Sequence, residues 1–436
     1  MLELTPSEEA QSKAKIIVIG AGGAGNNAIN RMVDANMDQE VTLIGVNTDE
    51  QALSLCKAPT VLQIGAKLTK GLGAGAHPEI GEKAAEESQE DIAAAIKGAN
   101  MVFVTCGMGG GTGTGASAVI AEEAQKLGIL TVGIVTIPFA FEGKKKILKA
   151  MTGVAALAQH VDALLIINNE KLVKIYPDFT ILNAFQKSDE VVSNAAKAIA
   201  EIITVPGYIN TDFADVRNTL KNGNVAIMNV GQAGGENRIT KAIENALNSP
   251  LANANDVRGA KRVLLQFYCS TEHAILMDEF EQINQFVKEV GDDVEVQWGA
   301  SLDETLGEEV RVTIIATGYE VSDIPVMEGE GTSIDEAIQQ NYPPQEPQPV
   351  LQPVQPKVVQ PAQPEPFVQP VVQQPVQPQP MQQPTVRPVQ PTQPVQPVYS
   401  DDIIIDDEPV RITDPSSMPT PQFTNPSTPS WMRGRK

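Results

Sequence analysis

The stretch GMGGGTGTG, at residues 107–115, decides the fold. It follows the apolar run MVFVTC at residues 101–106 and precedes a segment rich in alanine and valine, so it joins a predicted strand to a predicted helix. Six of its nine residues are glycine, which leaves backbone N–H groups free to face an anion, and two threonines add hydroxyl donors. Because glycine costs conformational entropy on folding, such a loop indicates a phosphate-binding site rather than a plain connector.

A second glycine-rich turn, GAGGAGNN, lies upstream at residues 20–27, again between a predicted strand and a helix. Glycines let the backbone approach a phosphate, and the helix N-terminus favours its charge. The spacing also satisfies GxGxxG, so an NAD-dependent Rossmann oxidoreductase is one alternative, and a tight turn without any ligand is another. The second loop at residues 107–115 and the lack of a catalytic His or Tyr–Lys constellation argue against the oxidoreductase. No GxxxxGK[ST] occurs, which excludes a Walker-type P-loop.

Short β-branched runs alternate with alanine-rich stretches around these turns, which predicts an α/β fold with a Rossmann-like parallel sheet. The predicted strands there are Lys15–Ile19, Val41–Val46, Met101–Thr105, Leu130–Thr136 and Ala163–Ile167. A long central helix follows, from Ser188 to about Thr204, and Pro206-Gly207 ends it. A second, α+β domain is predicted beyond it, with strands at Ala226–Val230, Arg262–Tyr268, Val294–Trp298 and Arg311–Thr317.

The predicted domains are a flexible N-terminus at 1–14, a nucleotide-binding domain with the central helix at 15–205, and the α+β domain at 206–320. A disordered linker at 321–426 and a partner-binding peptide at 427–436 complete the division. Residues 341–400 hold 18 of the 32 prolines, interleaved with glutamine and valine, and such a composition builds no core. The segment SWMRGRK at 430–436 is aromatic and basic, unlike the acidic DDIIIDDE at 401–408, whose role the sequence leaves open.

Composition restricts the setting of the protein. The net charge is −22, which argues against a nucleic-acid or anionic-membrane surface. Three widely spaced cysteines without a CxxC motif argue against a disulfide framework or a zinc site and favour a reducing cytoplasm. The first 15 residues have no apolar core typical of a signal peptide, and no stretch is long and apolar enough to span a bilayer. We therefore expect a cytoplasmic protein without direct membrane insertion.

The segment GGGTGTG at residues 109–115 is typical of the tubulin/FtsZ superfamily, which the chain resembles over roughly residues 15–320. The resemblance continues through NTD at 47–49, TKGLGAGA at 69–76, PF and FEGKKK between 138 and 146, and NTDFADVR at 210–217. It favours the bacterial FtsZ branch over eukaryotic tubulin. It implies a GTPase, activated by self-assembly, that polymerises head to tail into the cytokinetic ring at midcell, on the inner face of the membrane.

The same resemblance implies the ligand contacts for GTP or GDP. The phosphates would be contacted by Gly22, Gly23, Ala24, Gly25, Asn26, Asn27, Gly109, Gly110, Gly111, Thr112 and Gly113, and the γ-phosphate loop would include Gly73, Ala74 and Gly75. Glu142 would reach the ribose, and Lys146 the nucleotide, although many family members carry arginine there and lysine lacks its planar fork. Mg²⁺ would be held mainly by phosphates and water, with no protein ligand.

Asp189 matches the guanine-reading residue of the family. One carboxylate can accept hydrogen bonds from both guanine N1–H and N2–H₂, whereas adenine offers no such donor pair. The alternative interpretation is an acidic residue that favours the start of the long helix, with Ser188 as its cap.

Asp212 and Asp215 stand three residues apart before a predicted short helix, with Arg217 nearby. A capped, solvated helix start is the alternative interpretation of this pattern. The resemblance implies instead that this loop enters the nucleotide site of a neighbouring subunit, where the carboxylates polarise the attacking water. If both were inert, the protein would be a non-hydrolysing scaffold. The resemblance also implies that residues 427–436, through Pro429, Trp431, Met432 and Arg433, dock on division proteins such as an FtsA-like membrane tether.

Overall fold

Every predicted strand is present in the structure, together with one that the sequence did not reveal. A computed structural model describes residues 14–319, apart from 249–256, 258 and 292. Its strands β1 to β10, in chain order, are Ile16–Ala21, Thr42–Asn47, Thr60–Gln63, Met101–Gly107, Leu130–Ile137, Ala163–Asn168, Asn224–Ala233, Arg262–Cys269, Glu295–Leu302 and Val310–Tyr319. The additional strand is β3, a four-residue edge strand with no fully buried residue, too short and too exposed to give a periodic pattern.

The helices connect these strands. In chain order, α1 to α12 are Gly22–Asp34, Glu50–Ser54, Ala66–Thr69, Pro78–Glu87, Gln89–Ile96, Thr112–Lys126, Lys144–Ala158, Glu170–Ile175, Ile181–Thr204, Phe213–Leu220, Arg238–Leu247 and Phe280–Val290. None of these described helices is long and apolar enough to cross a membrane.

The strands form one sheet in the order β3-β2-β1-β4-β5-β6-β7-β10-β8-β9. All neighbours from β3 to β6 are parallel, which confirms the predicted parallel sheet. Strand β7 continues it in parallel beside β6, whereas β10 runs antiparallel to both β7 and β8. The predicted α/β class is therefore confirmed, with a mixed sheet in its second half.

Helices cover both faces of the parallel part, as the burial of β1 shows. Ile17 and Ile19 join the apolar cluster formed with α4, α5, α6 and α7, while Ile16 and Val18 join the cluster formed with α1 and α9. Successive side chains of a strand point to opposite faces, so a strand covered on both faces is a continuous apolar run. A third cluster packs α11 and α12 against β8 and β10.

Helix α9 begins at Ile181, about two turns before the predicted start at Ser188. Its N-cap is Thr180, whose hydroxyl accepts a hydrogen bond from the Asn183 N–H at 3.2 Å. The first turns expose Ile181 and Leu182, at 65% and 67%, and therefore lack the buried stripe from which a helix is recognised. The predicted end is confirmed, because Val205, before Pro206, is extended.

The predictions for 321–426 and 427–436, and for 1–14 except its last residue, concern residues outside those that the structure describes. The proposed boundary between the two folded domains, at 205 and 206, falls in the connection between α9 and α10.

Candidate functional site

A pocket of about 250 Å³ opens where β1, β4 and β5 end. The carboxyl ends of parallel strands meet at one edge of a sheet, where ligands of such folds bind. The residues that line the pocket are Ala21, Gly23, Ala24, Gly107, Met108, Gly110, Gly111, Thr112, Gly113, Thr136, Pro138, Glu142, Lys146, Asn169, Phe185, Ser188 and Asp189.

The first glycine-rich turn contributes Gly23 and Ala24 to the lining, at the start of α1. Gly22, with a φ of +71°, instead touches the second turn, because a Cβ there would lie 2.8 Å from the Gly113 nitrogen. Asn26 is buried, and its amide donates to the Gly20 carbonyl at 2.9 Å and accepts from the Asn47 amide at 2.9 Å.

Two further predicted residues of this turn also lie outside the lining. Gly25 packs against β1 and β4, and Asn27 is exposed at the surface of α1. Three residues of the turn, Ala21, Gly23 and Ala24, therefore line the pocket, whereas Gly22, Gly25 and Asn26 hold the shape of the turn.

The second turn contributes Gly110, Gly111, Thr112 and Gly113 to the lining, and together with Gly23 and Ala24 these residues form what we call the cradle. Gly109 has a φ of +93° and lies behind them, and its N–H donates to the Thr114 hydroxyl at 2.8 Å. Helix α6 begins here without a side-chain cap, as α1 does. The first N–H groups of a helix have no partner within it, so both helix starts present donors and a positive dipole end to an anion.

The open space in front of the cradle can be tested by adding a Cβ. A Cβ placed on Gly23 or Gly110 would meet no protein atom within 4 Å. The backbone is therefore bare at both positions, as close approach of a phosphate requires.

The loop 73–75 does not line the pocket. Ala74 is buried against the second turn, since a Cβ on Gly111 would lie 2.8 Å from the Ala74 side chain. The backbone N–H of Glu50 donates to the Gly71 carbonyl at 3.1 Å, which ties the loop to α2. Gly73 and Gly75 take left-handed φ values of +80° and +57°. The loop thus touches the cradle from behind, and its contact with a γ-phosphate stays a prediction.

Glu142 and Lys146 line the pocket together and form an ion pair one helical turn apart. The Glu142 carboxylate also accepts from the Phe139 N–H at 3.0 Å, which fixes it at the start of the turn before α7. Glu142, predicted to reach the ribose, and Lys146, predicted to contact the nucleotide, therefore lie next to each other in the pocket.

Asp189 lies inside α9, not at its start, so the interpretation of this residue as a helix-start acid with Ser188 as cap is wrong. Ser188 is buried, and its hydroxyl donates to the Asn169 side-chain oxygen at 2.7 Å. Burial raises the pKa of Asp189 to about 7, and the positive charge of Arg31 opposes this rise. The carboxyl group is thus poised to change its ionisation at neutral pH when donors approach it.

The sequence analysis did not include eight of the lining residues among its predicted contacts, namely Ala21, Gly107, Met108, Thr136, Pro138, Asn169, Phe185 and Ser188. Asn169 follows β6, and its position directly after a strand is the signal that would have identified it. Phe185 stands one turn before Asp189 on the same helix face and is 38% exposed. Its ring makes edge contacts with Phe139 and Phe141, with centroids 5.1 Å and 6.4 Å away.

Asp212 and Asp215 do not line this pocket. They cap α10: Asp212 Oδ1 accepts from the Ala214 and Asp215 N–H groups at 2.8 and 3.0 Å, and Asp215 Oδ2 accepts from the Asp212 N–H at 3.1 Å. The capped helix start, offered as the alternative interpretation, is therefore present in the folded subunit. Within the described ranges, no three His, Cys, Asp or Glu side chains are grouped so that they could hold a metal ion.

Comparison with known proteins agrees with this geometry. Residues 15–177 match the family described as Tubulin/FtsZ family, GTPase domain, and residues 224–320 match FtsZ family, C-terminal domain. The cell division protein FtsZ of Porphyromonas gingivalis is 48% identical over 308 residues, which cover 70% of this chain and 67% of that protein. Cell division protein FtsZ 1 of Methanocaldococcus jannaschii is 44% identical over 325 residues, or 73% and 88% of the two chains.

A solved structure of an empty FtsZ dimer from M. jannaschii superposes with a TM-score of 0.65 at 43% identity, covering 72% of this chain and 93% of that one. These matches include both glycine-rich turns and the second half of the sheet, and they decide against a Rossmann oxidoreductase. The chain belongs to the tubulin/FtsZ family of GTPases, in its FtsZ branch.

Proposed function

We propose that the protein binds GTP in this pocket and hydrolyses it after assembling head to tail with copies of itself, as part of the cell-division machinery. The observation that carries the proposal is the bare backbone at Gly23 and Gly110, which line the same pocket as the carboxyl group of Asp189. The glycine turns supply N–H donors for phosphates, and Asp189 supplies an acceptor for a base.

Guanine is the base that suits this end of the pocket. An ionised Asp189 accepts two N–H donors, and the exposed face of Phe185 offers a surface on which a base can stack. Glu142 accepts from a ribose hydroxyl, while Lys146 adds positive charge near the phosphates.

Mg²⁺ would be bound through phosphate oxygens and water, because the lining offers hydroxyl and backbone groups rather than a carboxylate cluster. The ion would neutralise charge on the phosphates when bound. This chain's residues would act around it by orienting the phosphate groups.

The position of Asp212 and Asp215 outside their own pocket supports hydrolysis at the interface between subunits. Each carboxylate uses one oxygen in the cap of α10, which leaves Asp212 Oδ2 and Asp215 Oδ1 for a water molecule. A neighbouring subunit would present its pocket to these oxygens, which would position and polarise the attacking water. The M. jannaschii relative, whose solved structure is an FtsZ dimer, supports self-association of this fold.

The test is phosphate release by the purified full chain with GTP, ATP or NAD over a wide range of protein concentrations. Turnover per subunit should rise with concentration for GTP alone, since each site needs a neighbour, and sedimentable polymer should form with GTP. A GTP turnover per subunit that stays constant with dilution would contradict the shared site. Polymer that forms with GTP but releases no phosphate would identify a non-hydrolysing scaffold instead.

We also propose that residues 427–436, which lie outside the described residues, recruit the protein to a membrane-bound division partner, such as an FtsA-like tether, at midcell. Trp431 offers a large apolar anchor, and Arg433 and Arg435 offer charges for an acidic rim. A chain without residues 427–436 should retain GTP hydrolysis and assembly in solution but form no ring in cells. Normal rings from this truncation would refute the docking role.

A further inference from the structure

Thr48 lies directly after β2, behind the second glycine-rich turn, and does not line the pocket. Its side chain is fully buried, with 0% exposure, and its Oγ1 lies 2.6 Å from Oγ1 of Thr112. Thr112, in contrast, is the first residue of α6 and lines the pocket. The two hydroxyls therefore connect the interior of the protein to the phosphate cradle.

The direction of this hydrogen bond follows from counting protons. The two hydroxyl groups carry two protons, and only one of them lies between the oxygens. Within the described part of the chain, the hydrogen bond to Thr112 is the one that the Thr48 side chain makes. If Thr112 were the donor, the Thr48 proton would be buried without an acceptor, which is costly. Thr48 is therefore the donor and Thr112 the acceptor.

This direction of the hydrogen bond determines which part of the Thr112 hydroxyl faces the pocket. Once Thr112 accepts from Thr48, the proton of the Thr112 hydroxyl is free to turn toward the pocket that this residue lines. A hydroxyl held in this way presents a donor rather than a lone pair to an incoming anion. A phosphate oxygen accepts such a bond, whereas the opposite polarity would repel it.

We propose that Thr48 is a positioning residue that fixes the Thr112 hydroxyl as a hydrogen-bond donor to a phosphate of a bound nucleoside diphosphate or triphosphate. The inference rests on the proposed function, because it requires phosphates in the cradle. According to this proposal, Thr48 contributes to nucleotide affinity although it is buried and does not touch the ligand.

The experiment is a double-mutant cycle on the full chain, with GDP affinity measured by equilibrium titration. Thr48→Val keeps the shape of the side chain and removes its donor, so we expect GDP to bind about tenfold more weakly, as loss of one oriented bond to a charged group predicts. Thr48→Ser keeps the hydroxyl and should bind as the parent does. In a Thr112→Val background, Thr48→Val should cause no further loss, because the hydroxyl that it orients is already absent.

The outcomes separate this inference from the nucleotide site itself. A Thr48→Val variant that binds GDP as tightly as the parent overturns the inference. It is also overturned if Thr48→Val weakens GDP binding equally in the parent and in the Thr112→Val background, since Thr48 would then not act through Thr112. A parent chain that binds no GDP overturns the proposed nucleotide site as well. Thermal unfolding of each nucleotide-free variant checks the fold. If Thr48→Val does not fold, Thr48→Cys, a much weaker donor, replaces it in the same cycle with the same two outcomes.

Discussion

At the scale of single residues, the raised pKa of Asp189 predicts that nucleotide binding depends on pH. Its pKa of about 7 means that the carboxyl group is largely protonated below neutrality and then no longer offers two acceptors. Guanine binding favours the ionised form, so GDP affinity should rise with pH by up to about tenfold per unit below pH 7 and level off above it. Equilibrium titration with GDP between about pH 6 and pH 8 measures this slope.

Asp189→Asn is the matched control for this measurement. Its affinity should be weaker and should follow only the titration of the GDP phosphates, which both proteins share. The folded-state pKa lies above the ordinary value of 3.8, so ionisation of Asp189 costs stability as the pH rises from about 4 to about 7. Asp189→Asn should therefore raise the melting temperature of the nucleotide-free protein at neutral pH. If GDP affinity depended on pH equally in the two proteins, Asp189 would not be the residue that contacts the base.

Two glycines of the second turn should respond in opposite ways to one added methyl group. Gly110→Ala places a Cβ where no protein atom lies within 4 Å, so the fold should keep its stability while GTP binds about tenfold more weakly, a cost of about 1.4 kcal/mol. Gly115→Ala would drive a Cβ into the Pro78 carbonyl of α4, which should destabilise the fold by about 1–3 kcal/mol or more. Denaturant unfolding of both variants measures the loss of fold stability, and GTP titration measures the loss of affinity. The two measurements together show whether the added methyl group disturbs the bound ligand or the packing of the protein. A Gly110→Ala chain that is destabilised but binds normally would contradict this assignment.

At the scale of elements, the loop that carries Asp212 is anchored to the second half of the sheet by a buried polar chain. Thr211 donates to the Gln266 side-chain oxygen at 3.1 Å, and the Gln266 amide donates to Ser301 at 2.9 Å. Gln266→Leu breaks both bonds and should destabilise the fold by about 1–3 kcal/mol. GTP turnover should fall much more than GTP affinity, since the pocket belongs to other elements.

Gln297→Leu, on the neighbouring strand β9, is the control substitution and should leave turnover unchanged. Phosphate release at saturating GTP, compared with equilibrium GTP binding, separates the two effects. Parallel losses of affinity and turnover in Gln266→Leu would show that the chain of bonds does not act through the loop.

The observed helices and strands also show which features could be predicted from the sequence and which could not. The continuous apolar runs of β1, β4 and β5 were predictable because burial on both faces leaves an unmistakable pattern, and so was the cradle, since glycine is chosen there for the backbone alone. The early start of α9 was hidden because its first turns are exposed. Phe185 was missed for the same reason: its place beside Asp189 depends on a helical phase that can be assigned only once the start of α9 is known.

At the scale of the whole molecule, a site shared between subunits predicts complementation. Asp189→Ala should lack a working pocket but keep the loop, whereas Asp212→Ala should keep the pocket and lack the loop. Each should hydrolyse GTP poorly alone. In an equal mixture, about a quarter of randomly formed head-to-tail contacts would join an intact pocket to an intact loop, so phosphate release should return in part. Mixing the two purified proteins and measuring phosphate release is the test. A mixture no more active than its components would contradict the shared site.

The mutual hydrogen bonds of Asp212 and Asp215 bear on how quickly such a contact can react. The two carboxylates are held by the start of α10 in the isolated subunit, before any neighbour is present. The conformational entropy of ordering them is therefore spent during folding and not during the encounter of two subunits. A reactive surface that is rigid in advance needs only correct docking, so its activation entropy for hydrolysis within an assembled pair should be small. Each carboxylate thus both caps α10 and faces the neighbouring subunit. A substitution that removes either one should therefore also destabilise the start of α10.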